Sequence, residues 1–160
     1  MAAGRLDARG VIVTCPSCGQ PSRLPYGALT KSIRCATCKA TLTAPAAPVD
    51  APDATAFHAA AAESTLPLIV DFWAPWCGPC RMVAPELERV AADARGRYLV
   101  VKLDTDVVTD VAAEYRIRSI PTLAVVFRGR ELGRFAGARS AAEIRTFADQ
   151  LVAENERRAS

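Results

Sequence analysis

The 160-residue chain has little of several things that would point to other functions. It has one histidine, two methionines and 6% aromatic residues. Only three of its twenty basic residues are lysine: Lys31, Lys39 and Lys102. No stretch of 18 apolar residues runs without a charge, which excludes a membrane-spanning helix. The net charge of +3 is slight and spread along the chain, so no strong nucleic-acid binder is expected. The start, Met1 to Gly10, has no apolar core behind a basic stretch. No secretory leader is therefore expected, and the setting implied is the reducing cytoplasm. No glycine-rich dinucleotide motif occurs, so no bound nucleotide or flavin is expected. Small size and mild charge suggest a monomer.

What the chain does have is six cysteines in three Cys-x-x-Cys pairs. In a reducing compartment such pairs point to metal binding or redox catalysis more than to structural bridges. Composition divides the chain around them. Prolines at 45, 48 and 52 make residues 44–54 a semi-stiff extended connector, whose second half could serve as an edge strand. Residues 10–43 have few apolar side chains (Val11, Ile12, Val13, Leu24, Tyr26, Leu29, Ile33 and Leu42), too few to hold a fold without a staple. Residues 55–156 alternate in type. Strands are expected at 66–73, 98–103 and 122–127, and an antiparallel return at 131–135 after the turn Arg128-Gly129-Arg130.

Helices are expected over 55–64, 78–94 and 107–115, and from Ser140 to about Glu154. Ser140 with Glu143 reads as a capping box, and Pro85 predicts a kink. Met82 and Phe135 read as core, and residues 154–160 as a solvated fray. His58 falls on the Ala-rich helix, with no ligand role expected. The order implies an α/β fold with a mixed sheet and helices on both faces, preceded by a small N-terminal module.

Cys15, Cys18, Cys35 and Cys38 form a C-x2-C-x16-C-x2-C pattern, within the spacing of a tetrahedral four-cysteine zinc ribbon. Gly19 suits the left-handed position after the first pair, and Lys39 departs from that pattern. The rival readings are two disulfides or four unrelated thiols. A closed four-ligand zinc would be structural and would itself supply folding energy. Arg23, Lys31, Arg34 and Tyr26 are too few to make this loop a nucleic-acid binder.

The third pair, in Trp76-Cys77-Gly78-Pro79-Cys80, follows a strand and opens a helix. Cys77 would sit at the helix N-terminus as an exposed thiolate, the attacking form in disulfide exchange. Cys80, one turn on and more enclosed, is placed to resolve a mixed disulfide. Pro79 fits the first helical turn, where its missing N–H is harmless.

The stretch Val70-Asp71-Phe72-Trp73-Ala74-Pro75-Trp76-Cys77-Gly78-Pro79-Cys80 resembles the active-site stretch of the thioredoxin family, and Ser119-Ile120-Pro121-Thr122 its second active-site loop. The resemblance covers residues 47–156. With the four-cysteine ribbon, the chain resembles the zinc-containing branch that makes up the second thioredoxins of bacteria. It implies a protein-disulfide reductase with Cys77 as nucleophile and Cys80 as resolving thiol. Asp71 would be a buried carboxylate accepting the Cys80 proton, with Lys102 as its partner. Pro121 would be cis beside the pair. Trp76, Gly78, Pro79, Ile120, Gly137 and Ala138 would form the apolar docking surface, with Trp73 packed under the active-site turn. Electrons would come from an NADPH-dependent thioredoxin reductase and go to disulfide-containing proteins. Arg81 and Ser119 depart from the residues common in the family. Two alternatives are a disulfide oxidase or isomerase on the same fold, and a zinc-gated binding or chaperone module.

Overall fold

A computed structural model describes residues 4–159. Its frame is a sheet of eight strands in the order β10-β9-β7-β8-β6-β1-β2-β3. The strands are β1 (Gly4–Leu6), β2 (Gly10–Thr14), β3 (Pro21–Pro25), β6 (Val49–Asp50), β7 (Leu68–Trp73), β8 (Leu99–Asp104), β9 (Thr122–Phe127) and β10 (Arg130–Ala136). A separate pair, β4 (Ile33–Arg34) and β5 (Thr41–Leu42), carries the second cysteine knuckle between its strands. The helices are α1 (Ala54–Glu63), α2 (Gly78–Asp93), α3 (Thr109–Glu114) and α4 (Ala141–Ala159). None of the described helices is long and apolar enough to cross a membrane.

Strands β7 and β8 are apolar on both faces except at Asp71, Lys102 and Asp104, as covering of both faces requires. Ile69, Val100, Leu123 and Val125 pack on the α2 and α4 side against Val83, Leu87, Val90, Ile144 and Ala148. Leu68, Val70, Val101, Ala124 and Val126 pack on the other side against Phe57, Ala60, Val108 and Val111. Parallel pairing of β7 with β8 and antiparallel pairing of β9 with β7 make the sheet mixed. Asp53 caps α1 by accepting from the Ala56 N–H at 2.8 Å. The Ser140–Glu143 box closes reciprocally, with the Glu143 N–H donating to Ser140 Oγ at 3.2 Å and the Ser140 N–H to Glu143 Oε1 at 3.3 Å.

Three expectations are corrected. The strand within 44–54 is not an edge: β6 lies between β8 and β1, pairing parallel with both. The chain upstream supplies β1, a strand beginning at Gly4, and so covers the edge that β6 would otherwise expose. Helix α4 runs to Ala159 rather than fraying from Glu154; Arg157 and Arg158 in its last turn suit the negative end of the helix dipole. Met82 is 70% exposed. It stands one residue before Val83, off the buried stripe of Cys80, Val83, Leu87, Val90 and Ala91.

The N-terminal residues share a core with the rest of the chain. Leu6, Val11, Leu24, Tyr26, Leu29 and Leu42 are buried in one cluster with Val49, Phe57, Ala60, Ala61 and Leu66. Polar contacts add to it. The Thr65 N–H donates to the Tyr26 carbonyl at 3.0 Å, and Arg95 Nε to the Ala44 carbonyl at 2.8 Å. Arg95 also bonds Thr43 Oγ1.

Candidate functional site

Two sulfur sites lie on this frame. The first is built from two matching knuckles. In one, the Cys15 N–H donates to the Gln20 carbonyl and the Gly19 N–H to the Cys15 carbonyl. In the other, the Cys35 N–H donates to Ala40 and the Lys39 N–H to Cys35. Gly19 (φ 79°) and Lys39 (φ 66°) both take the left-handed conformation that the turn requires, so the lysine fills a glycine-type position. Backbone N–H groups of the knuckle turns point at the first sulfur of each and favour its anion. They lower the Cys15 thiol, and with help from Ser22 Oγ they lower Cys35 to about 6.

The four sulfurs lie within 4.8 Å of one another, with Cys15–Cys38 and Cys18–Cys35 each at 3.7 Å. Four sulfurs bound to one tetrahedral ion at about 2.3 Å would be about 3.8 Å apart. The donor set and its spacing therefore fit a four-thiolate metal centre. Cys15 and Cys35 are buried, Cys18 is half-buried and Cys38 is exposed.

The second site is at the carboxyl end of β7. Thr105 N–H and Oγ1 both donate to the Trp73 carbonyl, and the Cys77 N–H to Ala74, tightening the turn into α2. Cys77 is the N-cap of α2, and its sulfur accepts from the Cys80 N–H at 3.2 Å. Cys77 and Cys80 are joined in a disulfide, their Cα atoms 5.3 Å apart. In this bonded form Cys77 is only 4% exposed, against the exposed sulfur expected from the sequence, and Cys80 is 3% exposed. The Cys77 sulfur lies 3.7 Å from the Ile120 carbonyl oxygen. The Ile120–Pro121 peptide is cis, and the Gly137 N–H donates to the Pro121 carbonyl at 2.8 Å, holding the two loops together.

Around the pair, Trp76, Gly78, Pro79 and Ala138 are exposed, and Ile120 and Gly137 half-buried. Trp76 is fixed by its indole N–H, which donates to Asp106 Oδ2 at 2.9 Å. Sequence reasoning passed over Asp106, because only the folded β8–α3 loop brings it to Trp76. Arg81 donates to the Pro75 carbonyl at 2.9 Å, a turn-stabilising contact.

Asp71 is 1% exposed, and its Oδ1 has no hydrogen-bond partner among the described residues. Burial pushes its pKa up to about 7, against the opposing pull of Lys102. The two residues are direct partners across β7 and β8. The Lys102 ammonium stands 4.4 Å from the centre of the Trp73 ring, on the indole face. An Asp that changes charge near neutrality is chemically suited to carry a proton. His58 is not drawn into either site; its Nε2 meets Glu114 Oε1 at 2.7 Å.

The sequence profile of the thioredoxin family matches residues 49–150. The chain belongs to the thioredoxin family. Thioredoxin C-3 of Corynebacterium nephridii is 33% identical over 147 residues, covering 91% of this chain and 99% of that one. A bifunctional thioredoxin reductase/thioredoxin of Mycobacterium leprae is 43% identical over 88 residues, 55% of this chain and 19% of its own length. Among solved structures, a mutant thioredoxin of Halobacterium salinarum superposes with a TM-score of 0.63 at 24% identity, over 69% of this chain and 95% of that one, a likeness of fold. The family match begins at Val49, so it takes in β6 and leaves β1 to β5 outside it.

Proposed function

We propose that this thioredoxin-family enzyme reduces protein disulfides by dithiol–disulfide exchange through Cys77 and Cys80. In this reading residues 55–156 are the catalytic module, residues 10–43 the metal-holding module and residues 44–54 the join. The reduced enzyme attacks with the Cys77 thiolate. One bond forms between Cys77 Sγ and a target sulfur as the target disulfide breaks, and the other target sulfur leaves as a thiolate that takes a proton. Cys80 then gives its proton to Asp71, and its thiolate attacks Cys77 Sγ. The mixed disulfide breaks, the target leaves reduced, and Cys77 and Cys80 end oxidised. Two electrons pass from enzyme to target.

The single observation that carries this reading is Cys77 as the N-cap of α2, with its sulfur accepting from the Cys80 N–H and standing beside the cis Ile120–Pro121 peptide. The N–H groups and dipole of a helix start favour an anion there. The loop around Ile120 and Pro121 offers backbone groups to an extended target strand. Trp76, Gly78, Pro79, Ile120, Gly137 and Ala138 supply the apolar surface on which that strand lies. Lys102 modulates the Asp71 proton.

NADPH-dependent thioredoxin reductase is the proposed electron donor, and the cytoplasm the setting; the fused reductase of the Mycobacterium leprae relative supports that pairing. The sulfurs of Cys15, Cys18, Cys35 and Cys38 are proposed to hold one zinc ion. Zinc with four protein ligands keeps no open position and supplies cross-linking of the two knuckles.

The test is insulin reduction by the purified protein with NADPH and thioredoxin reductase, with zinc measured on the same sample. Turnover with about one zinc per chain is expected. Absence of NADPH consumption in the wild-type protein would end the reductase reading, and a zinc content near zero in the natively purified protein would end the zinc assignment.

A further inference from the structure

The strand register sets four charged residues in one row across the sheet. Arg5 of β1 is opposite Asp50 of β6, Asp50 is opposite Lys102 of β8, and Lys102 is opposite Asp71 of β7. Directly opposed residues on neighbouring strands project from the same face, with strands about 4.8 Å apart. The signs alternate along the row: plus, minus, plus, minus. Exposure falls from one end to the other, with Arg5 and Asp50 exposed, Lys102 half-buried and Asp71 buried. Beyond Asp71 the next strand presents Leu123, which ends the row in the apolar core.

Lys102 therefore has an acid on each side, and its ammonium rests over Trp73. Among the described residues, Asp71 Oδ1 has no hydrogen-bond partner. Cys77 and Cys80, at the start of the helix that follows β7, are bonded to each other and do not titrate in the oxidised protein. Asp104, opposite Trp73, lies two positions along β8.

We propose that Asp50 is a positioning residue that shares the Lys102 ammonium with Asp71, and that Arg5 tunes this sharing from the N-terminal strand. Arg5 joins the row only because β1 docks on β6. Through Arg5 the N-terminal strand thus acts on the Asp71 carboxyl by ordinary electrostatics. The signs are set by the alternation. Loss of the Asp50 charge removes a competitor for Lys102 and a negative neighbour, so Asp71 ionises more easily. Loss of the Arg5 charge leaves Asp50 less neutralised, so Asp71 ionises less easily. The consequence for catalysis rests on the proposed role of Asp71; the titration itself does not.

The test is a 13C NMR titration of the oxidised full-length protein carrying 13Cγ-labelled aspartate, with the Asp71 signal assigned by its loss in Asp71→Asn. Asp50→Asn and Arg5→Gln remove the charge at exposed positions, the first without change of size. In low salt, Asp50→Asn is expected to lower the Asp71 midpoint by about 0.3–0.5 pH unit and Arg5→Gln to raise it by a smaller amount. In 1 M salt, where the Debye length is about 3 Å, both shifts should shrink to near zero. Unmoved midpoints in low salt would overturn the proposal. So would shifts of the same sign in both variants, or shifts that survive high salt, since either would mean a packing change. If the midpoints move as expected while the pH–rate profile of insulin reduction does not follow, the proton role of Asp71 fails and the charge row stands.

Discussion

At the scale of single residues, burial decides the chemistry of Asp71. Its pKa rises from an ordinary 3.8 to about 7 because the anion loses its water, and one lysine only partly compensates. Between those two values the folded protein binds more protons than the unfolded chain. Its contribution to stability is therefore greatest below pH 4 and is lost as pH rises through 7. Asp71→Asn should raise unfolding stability at pH 8 by up to roughly 4 kcal/mol, and should flatten the pH dependence between 4 and 8. Urea unfolding at a series of pH values measures both. The same variant should slow insulin reduction most at neutral pH, where the wild-type carboxylate can take the Cys80 proton. The two cysteines separate in another way. Cys77→Ser should abolish turnover, whereas Cys80→Ser should accumulate a covalent complex with target that a reducing gel dissolves. A Cys80→Ser enzyme that turned over normally would remove the resolving role.

At the scale of elements, the caps and the shared core carry separate predictions. Ser140→Ala opens the box at the start of α4 and should cost about 1 kcal/mol without changing the disulfide chemistry. Leu24→Ala removes a side chain that is 1% exposed in the cluster joining β3 to Val49 and Phe57. It should cost about 2–5 kcal/mol in denaturant unfolding. Because that cluster spans both parts of the chain, tryptophan fluorescence from Trp73 and Trp76 should report the loss, though Leu24 lies far from both in sequence. Most elements were legible from period and punctuation: the apolar runs of β7 and β8, the spaced stripe of α2, the Arg128–Arg130 turn and the α4 cap. Strand β1 was not. Three residues carry no usable periodicity, and Gly4–Leu6 is a strand because β6 and β2 lie on either side of it. Met82 misled for a related reason, since an apolar residue next to a buried stripe does not announce which side of the helix it takes.

At the scale of the whole molecule, the N-terminal residues and the part matched by the family share one eight-stranded sheet and one buried cluster, so the chain is expected to unfold as one unit. Metal extraction, with a chelator and a mercurial that releases thiolates, should lower the melting temperature of the entire chain by about 10 °C or more. Differential scanning calorimetry of the metal-loaded protein should show one transition. Two transitions, with the upper one indifferent to metal, would mean that the parts unfold separately in spite of their common core.

Each cysteine knuckle and the cysteine at the start of α2 could be read from residue order alone, because each is built within a few residues; the meeting of the two knuckles, and of Cys77 with the Ile120 carbonyl, needed the fold. A knuckle or a helix N-cap needs only a turn, a glycine-type conformation and two cysteines at fixed spacing, and such short-range geometry is written locally. The alternation of strands and helices was legible on the same ground. The joining of β1 to β6, the meeting of Trp76 with Asp106, and the row from Arg5 to Asp71 depended on the fold. Those placements come from strand register across residues far apart in the chain. Register follows from which side chains the common core can bury together, a condition that no local stretch of sequence contains.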